Sequence, residues 1–129
     1  MAEPEAPARL HHVAVGSPDV ESLARFYREV FGLRECARKF DSTGQLRSIW
    51  LDLGGPILML ERSHGVIPRV EGVGAGPFLL AFRVSREERS ELERELEARG
   101  HPIEARTAFT SYARDLDGNR VGFSHYPEP

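Results

Sequence analysis

The side chains able to do chemistry fall at alternate positions of short strand-like runs. Period-2 reading places His12 and Ala14, Trp50 and Asp52, Met59 and Glu61, Leu79, Ala81 and Arg83, and Arg120, Gly122 and Ser124 on one set of faces. An imidazole, an indole, a thioether, two carboxylates and two guanidiniums beside small residues is the composition of a small-molecule pocket. Arg83 and Arg120 can take an anionic group through paired N–H donors, or they can pair with Asp52 or Glu61; the sequence leaves both open. Trp50 is in the same position, a stacking platform or a core filler. Cys36 has basic neighbours in Arg34 and Arg38, but no histidine is placed to activate it, which argues against nucleophilic catalysis. His64, His101 and His125 fall in or beside loops and read as surface residues.

Two similar sets of elements must position these groups. The first begins with the run Leu10-His11-His12-Val13-Ala14-Val15, ending at Gly16. Helix-start chemistry follows, with Ser17 placed to cap, Pro18 in the first turn and Asp19 at the positive end of the helix dipole. Val20, Leu23, Ala24, Tyr27, Val30 and Phe31, at offsets 0, 3, 4, 7, 10 and 11, form one helical face, and Gly32 stops the helix. Strands are expected over 33–40, 45–53 and 56–62, and the charges of the first of these mark an edge. After a glycine- and proline-rich connector over 63–77 the order repeats. A strand over 78–84 precedes a helix opened by the capping box Ser85-x-x-Glu88 and closed at Gly100, then strands near 102–106, 108–115 and 119–126, the last two joined by the tight turn Asp117-Gly118. The glycines at 72, 74 and 76 do not make a phosphate loop, because no helix with a suitably placed lysine follows them.

Val13, Val15, Ile49, Leu51, Leu58, Leu60, Leu80, Phe82, Val84, Val121 and Phe123 have the opposite parity and should face the helices. The expected organisation is a disordered tail over 1–9, a βαβββ module over 10–62, the connector over 63–77 and a second βαβββ module over 78–126, together forming one domain. The second helix carries Leu92 and Leu96 as its only large apolar residues, so its glutamates read as a solvated face.

Composition sets the limits. The chain has 129 residues and a formal charge of −3, from 17 Lys+Arg against 20 Asp+Glu, with no basic run, which argues against a nucleic-acid partner. No apolar stretch approaches the roughly 20 residues needed to cross a bilayer, and the N-terminal segment lacks the apolar core of a signal peptide. One cysteine fits a reducing compartment, and a cytoplasmic location is expected.

The duplicated βαβββ order, the run Leu10 to Val15, the helix from Asp19 to Tyr27 leading into Phe31-Gly32-Leu33, and the turn Asp115-Leu116-Asp117-Gly118-Asn119 together resemble the vicinal oxygen chelate superfamily. That group includes glyoxalase I, bleomycin-resistance proteins, fosfomycin-resistance enzymes and extradiol dioxygenases. The resemblance covers about residues 10–126 and implies an α+β fold of two modules whose curved mixed sheets surround a cavity. It also implies one metal ligand on the first and the fourth strand of each module. His12 matches the first of these positions, Leu79 the third, and Gly122 stands where the family has glutamate. The fourth-strand position is Met59 or, after a two-residue shift, Glu61.

Divalent ions take about three to six oxygen or nitrogen donors, and a thioether suits them poorly. The expectation is therefore no cofactor; a Zn, Ni, Mn or Fe ion, were one to bind, would be held by His12 and Glu61 with donors from a substrate or a second chain. The function expected from the resemblance is binding of a small molecule in a cavity between modules, similar to the bleomycin-resistance branch, by a homodimer. The alternatives are a metal-dependent lyase, isomerase or dioxygenase, and a non-catalytic regulatory or interaction domain. Whether modules pair within one chain or between two is left open by the sequence.

Overall fold

The computed structural model describes residues 9–64 and 79–129, so most of the expected connector and tail lies outside the described residues. The elements are β1 (His12–Ser17), α1 (Val20–Phe31), β2 (Arg34–Phe40), β3 (Leu46–Asp52), β4 (Ile57–Arg62), β5 (Leu79–Arg83), α2 (Arg86–Ala98), β6 (Ala105–Arg106), β7 (Thr110–Arg114) and β8 (Arg120–Ser124). They form two open four-stranded sheets of the same design, ordered β1-β4-β3-β2 and β5-β8-β7-β6, each mixing one parallel pair with antiparallel ones. The fold is α+β with the repeated βαβββ order expected from the sequence, and β2 is an edge strand.

Each helix starts and stops for a local reason. In α1 the cap is Asp19 rather than Ser17: its carboxylate accepts from the Ser22 backbone N–H at 3.1 Å, while Ser17 Oγ accepts from the Asp19 N–H at 3.1 Å. β1 runs on through Ser17, which shifts the cap two residues towards the helix. Gly32, at φ 68°, ends α1 in a left-handed conformation that costs a side-chain-bearing residue more. In α2 both bonds of the capping box form between Ser85 and Glu88.

The apolar face of α1 lies on β1, β3 and β4, and α2 lies on β7 and β8. The residues expected to face the helices do so. Ile49, Leu51, Leu58, Leu60, Val121 and Phe123 are fully buried, and Val13, Val15, Leu80, Phe82 and Val84 pack around them. Each fully buried side chain of this size contributes about 1.5–3 kcal/mol.

Both modules turn the same side towards this core. Phe31 of α1 stacks on Phe82 of β5, with centroids 4.4 Å apart and planes at 22°, and Phe26 of α1 contacts His101 at 4.9 Å. The faces away from the helices therefore point outward: His12, Ala14, Leu79, Ala81 and Arg83 are all exposed. The cavity expected between the two modules is not closed by the opposing faces of one chain, because the core between them is made by their helix-bearing faces. Among the described residues, no helix is long and apolar enough to cross a membrane.

Candidate functional site

Strand register orders the outward faces into rows. On the first sheet the rows are His12, Ile57 and Asp52; then Ala14, Met59 and Trp50; then Gly16, Glu61 and Ser48. On the second they are Leu79, Arg120 and Arg114; then Ala81, Gly122 and Tyr112; then Arg83, Ser124 and Thr110. The parity read from the sequence is thus met at every candidate residue, although the candidates divide between two separate faces.

On the first face Trp50 is tied into a chain of hydrogen bonds. Its Nε1–H donates to Ser48 Oγ at 2.9 Å, and Ser48 Oγ donates to Glu61 Oε1 at 3.1 Å. The ammonium of Lys39 lies 4.9 Å from the centre of the Trp50 ring. The indole is consequently fixed, half-buried and carries a cation on one side. The ring of His12 meets that of His11 edge-on, with the two Nδ1 atoms 2.8 Å apart. Asp52 is committed to the turn after β3: its Oδ1 accepts from the N–H groups of Gly54 and Gly55 at 2.8 and 3.1 Å, and Arg34 approaches at 3.3 Å. Those backbone donors, Gly55 first, hold its carboxyl below the usual range.

On the second face Gly122 is buried, and an ideal Cβ there would stand 3.3 Å from Tyr112 Cδ1 and 3.5 Å from Leu79 Cδ1. The space that a side chain at this position would need is taken by the Tyr112 ring. Arg120 places its guanidinium carbon 4.3 Å from the centre of that ring. Neither Arg83 nor Arg120 pairs with Asp52 or Glu61, because the two faces do not meet within the chain; Asp52 is held by Arg34 and Glu61 by Ser48. Rows four residues apart along a strand are separated by roughly 13 Å, so Arg83 and Arg120 stand at opposite ends of this face. Arg83 also borders a cleft of about 570 Å³ floored by Phe31, Phe82 and Leu92 and edged by Glu88, Glu91 and Glu95.

The positions matched to metal ligands do not fit a divalent cation. His12, Met59, Leu79 and Gly122 supply one imidazole, one thioether and two groups with no donor. Glu61 lies two rows, or four residues, beyond the row of His12, again roughly 13 Å along the strands, which leaves Met59 the nearer fourth-strand side chain. Among the described residues, no three His, Cys, Asp or Glu side chains are grouped as a cation would need.

Three contributors went unassigned in the sequence. Tyr112 has the parity of the outward face, but its contact with Gly122 depends on the register of β7 with β8. Ser48 and Lys39 matter only through Trp50. Two expectations are corrected as well: His125 is 4% exposed, not a surface residue, because Arg89 and Phe109 cover it, and His101 packs on Phe26 while its Nδ1 lies 3.0 Å from the Arg114 carbonyl.

Comparison with known proteins follows the fold. A family model described as Glyoxalase/Bleomycin resistance protein/Dioxygenase superfamily matches residues 9–123. Lactoylglutathione lyase from Agrobacterium tumefaciens superposes with a TM-score of 0.65 at 25% identity, over 93% of this chain and 95% of that one. A mutant of FosX, the genomically encoded fosfomycin resistance protein from Listeria monocytogenes, solved with Mn(II) and 1S,2S-dihydroxypropylphosphonic acid, superposes with a TM-score of 0.76 at 18% identity, over 93% and 94%. No curated protein matches the sequence.

Proposed function

Because the chain belongs to the Glyoxalase/Bleomycin resistance protein/Dioxygenase superfamily, we propose that it is a small-molecule-binding protein of that superfamily that works without a resident divalent metal. The observation that carries this reading is the donor set His12, Met59, Leu79 and Gly122 at the four ligand positions, on sheet faces that are otherwise furnished for a ligand. The fixed indole of Trp50 and the thioether of Met59 offer an apolar surface on the first face, and Leu79 and Tyr112 offer one on the second.

A second copy of the chain completes the pocket. Each face alone is open, and a pocket that buries most of a small ligand needs walls on two sides. In a symmetric homodimer the first face of one copy covers the second face of the other, and by symmetry two equivalent pockets form. The ligand is thus enclosed between chains, which is the arrangement the outward-turned faces support.

Metal reconstitution combined with a ligand screen tests the reading. Protein incubated with Zn, Ni, Mn or Fe and then desalted should retain far less than one ion per chain. Thermal-shift screening of aromatic, peptidic and thiol compounds should find stabilising ligands, and gel filtration should give a dimer. Stoichiometric metal that is lost in His12→Ala would overturn the proposal in favour of a metal-dependent lyase, isomerase or dioxygenase. A monomer that no compound stabilises would leave a non-catalytic interaction domain as the better description.

A further inference from the structure

We infer that Arg120, seated on Tyr112 beside Gly122, is an oxyanion-binding group, so that the ligand is a small organic anion, a carboxylate or a phosphate, with an apolar body. The inference rests on the proposal that this face holds a small molecule, and it adds the chemical class.

The argument begins at Gly122. With no Cβ on this central strand, the Tyr112 ring settles against the backbone, with Cδ1 and Cε1 at 3.3 and 3.4 Å from where a Cβ would be. Over that ring lies the Arg120 guanidinium, 4.3 Å from its centre. Stacking on an aromatic ring fixes the plane of a guanidinium and leaves its edge N–H groups free to donate in pairs. Arg120 is half-buried, and among the described residues no carboxylate lies within ion-pair distance of it. Glu104, whose partner Arg114 shares the row of Arg120, is engaged with Arg114. Arg114, the other cation of this row, is held by Glu104 at 2.8 Å and by the Gly118 carbonyl at 3.0 Å.

A partly desolvated guanidinium with free paired donors is complementary to a planar carboxylate or to two phosphate oxygens. Leu79, 37% exposed in the same row, supplies the apolar surface for the rest of such a molecule. The resemblance puts a glutamate at position 122; here its loss and the tyrosine that fills the space set a fixed cation at that place. The polarity of the site is thereby turned from one that holds a cation to one that holds an anion.

Titration of the protein with benzoate, phenyl phosphate, inorganic phosphate and the neutral benzyl alcohol tests this. Two signals are followed: the Nε–H resonance of Arg120, assigned by its loss in Arg120→Lys, and the fluorescence of Trp50, the single tryptophan. Benzoate or phenyl phosphate should shift the Arg120 resonance saturably, and the stronger of the two identifies the preferred oxyanion. Benzyl alcohol should bind at least tenfold more weakly. Arg120→Gln should weaken anion binding at least tenfold, Arg120→Lys should recover only part, and Gly122→Ala, which pushes on Tyr112, should weaken it several-fold, each with a thermal transition close to that of the unmodified protein.

If benzyl alcohol and benzoate bind alike and Arg120→Gln changes neither, the oxyanion assignment is overturned while the small-molecule reading stands. If no probe moves either signal at millimolar concentration, both fall. Should Arg120→Gln fail to fold, Arg120→Lys and Gly122→Ala decide the question by the same comparison.

Discussion

The phenol of Tyr27 donates to Asp115 Oδ2 at 2.7 Å, joining the middle of α1 to the turn before β8 across 88 residues of chain. Tyr27 is fully buried and Asp115 is 3% exposed. The other carboxylate oxygen, Oδ1, accepts from the backbone N–H groups of Asp117 and Asn119 at 2.9 Å, so one carboxylate both shapes the last hairpin and binds the first module to it. Tyr27→Phe deletes the donor without changing the packed volume. It should cost about 1.5–3 kcal/mol by urea denaturation, the value of a hydrogen bond to a charged acceptor. A loss below about 0.5 kcal/mol would show that Asn119 alone satisfies Asp115.

The same pair makes the stability of the fold depend on pH at the alkaline end. Burial, and after it the negative charge of Asp115, push the Tyr27 phenol well above its ordinary value of 10.0. In the folded state the proton is held more tightly than in the unfolded chain, so this contribution is complete below pH 10 and is lost as pH rises beyond it. The stability of the unmodified protein should therefore fall above about pH 10 more steeply than that of Tyr27→Phe. Parallel curves for the two proteins would contradict the assignment.

At the acid end the first module depends on Arg38. Its guanidinium donates to both oxygens of Glu21 on α1 at 2.7 and 2.8 Å, and to Glu35 on β2 at 2.7 Å, clamping the edge strand to the helix. These bonds hold both carboxyls below their ordinary value of 4.5. A depressed carboxyl value contributes stability above about pH 4.5 that is lost as pH falls through the folded-state value. Arg38→Gln should flatten the decline between about pH 5 and 3. Because the partners are about a third exposed, its cost at neutral pH should stay below about 1 kcal/mol. An unchanged acid limb in this variant would mean that other carboxylates set it.

What the sequence disclosed and what it withheld divide along a physical line. Turn glycines and the in–out parity of each strand are local, and that parity puts His12, Met59, Leu79, Gly122 and Arg120 on the outward faces that the register gives them. Contacts set by long-range packing were hidden. The stacking of Phe31 on Phe82 decides that both modules spend their helix-bearing faces on one core and leave the candidate faces open, and no periodicity within a strand encodes that choice. The seat of Tyr112 on Gly122 is similar, since it requires the β7–β8 register as well as the two residue types. Asp52 misled for another reason: its parity is that of a pocket residue, but the glycines that follow it draw its carboxylate into the turn.

Arg89 gives the remaining prediction, because the charged second helix reads as a solvated face and this residue contradicts that. Its side chain is 13% exposed. Nε–H donates to Ser111 Oγ at 2.8 Å, Nη1 to the Ala108 carbonyl at 3.0 Å, and Nη2 to the carbonyls of Thr107 and Thr110 at 2.9 and 3.2 Å. His125 Nε2 lies 3.1 Å from Nη1, while its Nδ1 lies 2.5 Å from the Glu128 carbonyl. The neutral ring protonated at Nδ1 satisfies both, with Nε2 accepting from Arg89. One guanidinium thus gathers the carbonyls of the 107–110 loop, β7 and the segment after β8 onto α2. Arg89→Met keeps the stem and removes every donor, leaving several acceptors short of a partner. It should cost about 2–4 kcal/mol in urea denaturation, far beyond the roughly 0.5 kcal/mol of an ordinary surface change. Arg89→Lys should recover less than half, because a single ammonium cannot reach acceptors spread over the fork of a guanidinium. Amide exchange in the 107–110 loop and at His125 should rise in both variants while that of β1, β3 and β4 stays slow. Unchanged exchange in that loop together with a small loss in stability would return α2 to the role of a solvated cover.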